Sequence, residues 1–574
     1  MKLLHIKIKI LCLILVMTLA APACKKAFDV KPEDEVDASN AYQTSADADA
    51  AVIGIYGKLL SLSKQYLVLN ELRADLEDVT GNADPYLQEI NIHQVTAKNP
   101  YANPRPFYEL IANCNDALKG FTEMVKTSKI SVEDYQRRYS DIGTLRSWLY
   151  LQLGIHYGSV PYITRTIDKP ADLKELSAYP KLPFNVLLDS LVNFTAGLQY
   201  NRSQIFTYPT GNPLNTTVDN NATAKFYIVR TILMGDLYLW KGDYHNAAIN
   251  YKLAMEAAGG NDLGFGYRVA FDGNTITNTV LYNGQDTRDL YLAADKGWRS
   301  MFSYVNTNRS WNAEWYWSLP FSSQFKTKNP LPGIYSTTGG SYFIKPSTII
   351  IDKWNAQLQP NGSPGDPRGM MSYTSNNGAP VITKFTDDIS SLIGGGQWNI
   401  WRAPSVHLHY AEAANRDGMG LLAWGLLNNG IGRALVPAPA DPPTFEQVEA
   451  MLTKFPEPYL FDARNAGATN TGIRGVWYRN IGIRGRGYVR PLSTTLQTDL
   501  TGLENALIDE ASLELAFEGQ RWPDLLRIAM RRDNPGFLAD KVYEKLSRAG
   551  NPAASTVRTK LLNKDWYLPF DIYN

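Results

Sequence analysis

His407 and His409 stand two residues apart in the segment PSVHLHYAEAANR, residues 404–416, where a helix would send them to different sides. They cannot share one metal ion. No HExxH, G-x-S-x-G or GK[ST] segment occurs, which removes the common zinc, serine and phosphate-loop signatures. Gly394-Gly395-Gly396 reads as a flexible turn. Arg484-Gly485-Arg486-Gly487 lacks the preceding strand and following helix that a nucleotide loop requires. Asp75, Glu77 and Asp78 are candidate carboxylates, either as ligand contacts or as the acid–base pair of a glycoside hydrolase. The competing reading for them is a solvated helix end. No metal or cofactor is expected, and an enzyme is not the expected class.

Aromatic residues carry the stronger signal. With 13 Trp and 33 Tyr the chain carries a high aromatic load, so the location of the rings matters. Trp311, Trp315, Tyr316 and Trp317 stand among Asn306, Asn308, Arg309, Asn312 and Glu314. Flat rings cover the apolar C–H face of a sugar, while amides, carboxylates and guanidinium groups pair its hydroxyls. Residues 315 and 317 share a face if the segment is a strand. Tyr101, Trp298, Tyr335, Tyr342 and Trp398 are secondary candidates. The competing role for each ring is core packing in a region without regular periodicity. A peptide ligand would also use aromatics, adding backbone pairing at a strand edge.

A net charge of +1 over 574 residues offers no global field for nucleic acid. The N-terminus pairs Lys2, Lys7 and Lys9 with the apolar run Ile10–Met17, a secretory signal too short to span a membrane comfortably. It ends at Ala20-Ala21-Pro22-Ala23-Cys24, which is similar to a bacterial lipoprotein cleavage site: residues 1–23 would be removed and Cys24 lipidated. Simple cleavage with release is the alternative. Cys12 leaves with the signal, so Cys114 alone remains, within an expected helix.

The elements that must position these groups are mostly helical. Residues 222–260 read as two antiparallel helices turning at Lys241-Gly242-Asp243, with Phe226, Val229, Leu233, Leu237 and Trp240 as a stripe. Gly235, Tyr238, Ala247, Tyr251 and Ala254 match the tetratricopeptide pattern, and one such unit cannot bury its face alone. Further helices are expected over 47–62, 106–126, 134–157, 183–198, 404–416 and 421–427, with a last hairpin over 504–532 turning at Gly519. Residues 264–400 form a loop-rich insertion with a few short strands, and 436–500 a second irregular stretch. The mature chain, 24–574, is expected to be one domain.

Several segments together resemble the SusD/RagB outer-membrane lipoproteins of the Bacteroidetes. They are Phe28-Asp29-Val30-Lys31-Pro32, Phe107–Asn115, Leu145–Tyr150 with Tyr157–Tyr162, the repeat hairpin, Asp366-Pro367-Arg368, Tyr410–Asn415 and Leu513–Trp522, in that family's order. The chain departs from the pattern at Glu510-Ala511, where the family usually carries a Glu-Arg pair, and at Lys25-Lys26, where it carries acidic residues. The resemblance implies a mostly α, SusD-like fold: tetratricopeptide-like helix pairs carrying loop-rich insertions. It also implies an outer-membrane, surface-exposed lipoprotein that captures oligosaccharide, or in some relatives peptide, and passes it to a SusC-like TonB-dependent transporter.

Overall fold

The computed structural model describes residues 41–166, 179–199, 207–218, 221–257, 302, 315–321, 328–385, 396–435, 455–463, 477 and 480–571. Cys24, Trp298 and Trp311 lie outside the described residues.

Helix α1, Ser45–Leu59, opens on a reciprocal cap in which Thr44 and Asp47 satisfy each other's backbone N–H groups. A short helix and a π turn, Ser63–Leu67 and Val68–Leu72, then lead to strand β1, Glu77–Val79. Helices α2, Arg105–Lys126, and α3, Val132–Tyr157, pack as a pair. In α2 the residues Phe107, Leu110, Ile111, Cys114, Leu118 and Phe121 recur at helical spacing and are buried. From Ser140 to Tyr157 every side chain of α3 is buried, because neighbouring elements cover it on all sides. Helix α4, Phe184–Gly197, comes closest at Gly154, where an added Cβ would sit 2.4 Å from the Phe184 ring.

The repeat hairpin is α5, Arg230–Lys241, and α6, Tyr244–Ala257. Gly242 ends α5 in the left-handed conformation at φ 76°, which favours glycine. A Cβ on Gly235 would lie 2.5 Å from the Tyr251 ring, so the small residue is the hole that this knob fills. The first helix starts later than its periodicity suggests. Thr223–Lys225 is a 3₁₀ turn, Phe226 precedes the helix, and Val229 is extended at its N-cap. The lead-in is fixed by tertiary bonds instead: the Ile228 N–H donates to Tyr56 Oη at 3.0 Å.

Within the first insertion, α7, Thr348–Asn355, and α8, Pro367–Ser372, are helical where irregular chain was expected. Ser347 and Asp366 cap them. The strands pair two by two. β2, Trp315–Phe321, runs antiparallel to β6, Gly396–Arg402; β1 pairs with β3, Ile344–Pro346; β4, Tyr373–Asn376, pairs with β5, Ala379–Ile382. Helices α9, Ala403–Arg416, and α10, Gly420–Leu427, form the next pair, followed by α11, Leu500–Glu514, and α12, Arg521–Arg531, turning at Gly519. A further C-terminal pair, α13, Gly536–Arg548, and α14, Ala554–Leu562, was not expected, although Leu538, Val542 and Leu546 show helical spacing and are buried. The pairs stack in a row: α3 on α4, α4 on α5, α6 on α9, α9 on α11.

Candidate ligand surface

The aromatic platform expected at Trp315, Tyr316 and Trp317 is core. All three are buried in β2, with Trp317 at 0% exposure. Trp317 packs its ring 5.0 Å from Trp148 and 5.1 Å from Trp401, and its Nε1–H donates to the Phe226 carbonyl at 2.9 Å. Tyr316 Oη donates to the Ala254 carbonyl at 3.2 Å. The strand thus grips both ends of the α5–α6 hairpin. Trp398 is buried against Tyr66, and Tyr335 donates to Glu77 at 2.9 Å inside the core. The physical reason is that β2 and β6 are buried on both faces, so large apolar residues fill positions on each side of the strand.

The acidic cluster is also inside, not a solvated helix end. Asp75 receives a bidentate pair from Arg521, Nε at 2.6 Å and Nη2 at 2.8 Å. Burial opposes its charged form, but Arg521 outweighs it and holds the carboxyl well below the usual carboxylate range. Asp78 accepts from Asn91 Nδ2 at 2.9 Å and is buried. A carboxylate locked in this way serves the fold, and neither Asp75 nor Asp78 is presented to an external ligand.

A larger buried network escaped the sequence reading. Glu510, Glu514 and Glu518 recur every four residues through α11 and its turn. Glu514 binds Arg368 at 2.9 Å, Arg402 at 2.8 Å, and Arg486; Glu518 binds Arg402 at 2.6 Å and Lys384 at 2.7 Å; Glu510 binds Arg484 at 2.6 Å. Arg368 is also paired with Asp366 at 2.7 Å, which joins the Asp366-Pro367-Arg368 segment to the Leu513–Trp522 segment. The four-residue spacing of the glutamates was the available signal. His407 and His409 separate as expected: His407 Nε2 contacts the Leu426 carbonyl at 2.8 Å, while His409 lies 3.2 Å from both Asp236 and Asp524. Burial alone would push His409 down, but the two carboxylates raise it to about 9.

Of the predicted residues, Tyr101 and Tyr342 are half-buried. Tyr101 sits on a 3₁₀ turn, Pro100–Ala102, capped by Asn99. Its Oη is 3.4 Å from Asp84 Oδ2, and the Lys64 ammonium stands 5.1 Å from its ring centroid. Burial, then Asp84, raises the Tyr101 phenol. Gln65 Nε2 donates to the carbonyls of Tyr101 and Asn103, both at 2.8 Å, fixing the turn. Asp84 also caps the helix Pro85–Asn91, which presents Tyr86 at 39% exposure, a residue the sequence reading passed over. Asn99 Nδ2 donates to the Tyr86 carbonyl at 2.9 Å, tying helix and turn together. Exposed Asn82 then reaches the Ser341 carbonyl at 3.3 Å, beside Tyr342. Tyr101, Lys64 and Asp84 therefore meet, and exposed Tyr86 and Asn82 lie within two residues of Asp84 in the chain; this ledge carries groups of the kind that cover a sugar face and pair its hydroxyls.

Among the described residues no group of three or more His, Cys, Asp or Glu is placed to hold a metal, and no helix is long and apolar enough to cross a membrane. No protein-family profile and no curated protein sequence matches the chain. Solved structures do match it. A SusD superfamily protein from Bacteroides vulgatus aligns with 90% of this chain and 92% of its own, at TM-score 0.56 and 14% identity. Surface glycan-binding protein A from Bacteroides uniformis aligns over 86% and 91%, at TM-score 0.55 and 13% identity. A laminarin binding SusD-like protein aligns over 93% and 100%, at TM-score 0.52 and 15% identity. The chain has the SusD-like fold: mostly helical, with paired helices carrying short two-stranded pieces.

Proposed function

We propose that this chain is a non-enzymatic capture protein, lipid-anchored through Cys24 at the outer-membrane surface, which binds oligosaccharide on the Tyr86–Tyr101 ledge. It delivers that ligand to a SusC-like TonB-dependent transporter. The observation that carries the reading is the SusD-like fold over about nine-tenths of the chain, shared with structures named as laminarin binding and as a surface glycan-binding protein. The ledge supports it chemically, because half-buried Tyr101 stands with Lys64 and Asp84, and Tyr86 and Asn82, close to Asp84 in the chain, are exposed. Asp75, held in its pair with Arg521, and Glu77, held by Tyr335, favour binding over hydrolysis. A calorimetric screen of neutral oligosaccharides and peptides tests the reading. Binding of at least one glycan without product release supports it. Binding of peptides alone, or turnover, contradicts it.

A further inference from the structure

A cavity of about 630 Å³ lies between α2, α3 and α4, away from the ledge. Its inner wall is Arg146, from the middle of α3, at 4% exposure. One Nη donates to Asn115 Oδ1 at 2.6 Å, and the guanidinium stacks 4.4 Å from the Phe194 ring centroid. Asn115 is an amide, and its Nδ2 donates to the carbonyls of Ile163 and Arg165, both at 3.1 Å, which fixes its oxygen toward the arginine.

Among the described residues, no carboxylate lies within ion-pair distance of Arg146. The buried arginines 138, 368, 402, 521 and 527 each hold at least one Asp or Glu. Two other buried arginines are held by other groups: Arg73 is sealed in the core against the Trp566 carbonyl, His156 and the Trp522 face, and Arg230 donates to the Thr195 and Ala196 carbonyls. Arg146 differs because, among the described residues, its Nε and second Nη make no hydrogen bond, and the side chain lines the cavity. A guanidinium has five donors in a planar fork, so a buried one with a single neutral acceptor is prepared for a bidentate anion. Lys119, Arg165 and the exposed Glu123 also line the cavity; Lys119 Nζ lies 3.4 Å from Thr166 Oγ1, and Arg165 stands over the Tyr179 ring. The rings of Tyr139 and Tyr162 form another wall, and Ser190 contributes a hydroxyl.

We propose that this cavity is a second binding site, for a small acidic sugar: the carboxylate pairs with Arg146 and the ring lies against the aromatic wall. The site stands apart from the ledge, so a chain that bound no neutral oligosaccharide would still bind here. The test is calorimetry on the purified full-length chain with glucuronate, glucose and sulfate. Glucuronate is expected to bind one per chain, at least about tenfold tighter than either glucose or sulfate. Arg146→Gln is expected to weaken it about tenfold or more. Ser190→Trp, which fills the cavity and leaves Arg146 in place, is expected to abolish binding while the melting temperature holds. Glucose or sulfate binding as tightly as glucuronate, or undiminished binding in a folded Ser190→Trp variant, would overturn the proposal.

Discussion

Several charged side chains in this protein are held by partners hundreds of residues away, and their protonation is part of the fold. Glu71 accepts the N–H groups of Phe517, Gly519, Gln520 and Arg521, so one carboxyl satisfies the turn at Gly519 and the start of α12. His409 faces Asp236 and Asp524 through both ring nitrogens, an arrangement that suits the imidazolium. Its value of about 9 lies above the ordinary histidine value of about 6.5, so the native state retains a proton that the unfolded chain releases. That stabilisation is complete below pH 6.5 and is lost as pH rises through 9, with an upper bound of about 3 kcal/mol. Denaturant unfolding from pH 6 to pH 9.5 should show the decline, and His409→Gln should flatten it. Trp317→Ala should cost about 3–5 kcal/mol, because the ring is enclosed by Trp148 and Trp401. A full set of glycan affinities in a folded Trp317→Ala variant would agree with a core role; selective loss of binding without loss of stability would contradict it.

At the scale of elements, the α5–α6 hairpin couples the helical row to the strand β2, since Phe226 and Ala254 each accept a bond from β2. Gly235 is the point of closest approach. Gly→Ala in a helix normally gains about 1 kcal/mol. Here the new methyl would meet the Tyr251 ring at 2.5 Å, and overpacking of that kind costs about 1–3 kcal/mol. Gly235→Ala should therefore lower the melting temperature, whereas a rise would show that Tyr251 moves freely. The turn at Gly242 and the helices expected over 106–126 and 134–157 were legible because helical periodicity and glycine chemistry are local. The start of α5 was not, because the bonds that fix its lead-in, Ile228 N–H to Tyr56 Oη and Trp317 Nε1–H to the Phe226 carbonyl, are tertiary. The run Trp315-Tyr316-Trp317 misled for another reason. A strand buried on both faces carries the same residues as a binding platform, and only its neighbours distinguish the two. Asp75 looked solvated because its partner, Arg521, lies 446 positions along the chain.

Over the whole molecule, order mattered more than any one motif. The segments around Trp148, Asp366, Tyr410 and Trp522 are dispersed in sequence, yet the helices of Trp148 and Tyr410 belong to one stacked row, those of Asp366 and Trp522 pack on its last member, α11, and Arg368, paired with Asp366, meets Glu514 there. Those segments specify the scaffold. The proposed ligand surface falls where the sequence is irregular, on the short helix capped by Asp84 and the turn at Pro100, whose rings show no periodicity, and Tyr86 gave no signal at all. The central claim is that the Tyr86–Tyr101 ledge captures glycan. Its most direct test is calorimetric titration of the strongest neutral oligosaccharide into the wild-type chain and into the Tyr86→Ala/Tyr101→Ala variant. The account predicts an affinity loss of about tenfold or more with an essentially unchanged fold. Equal affinity in the two proteins would contradict it.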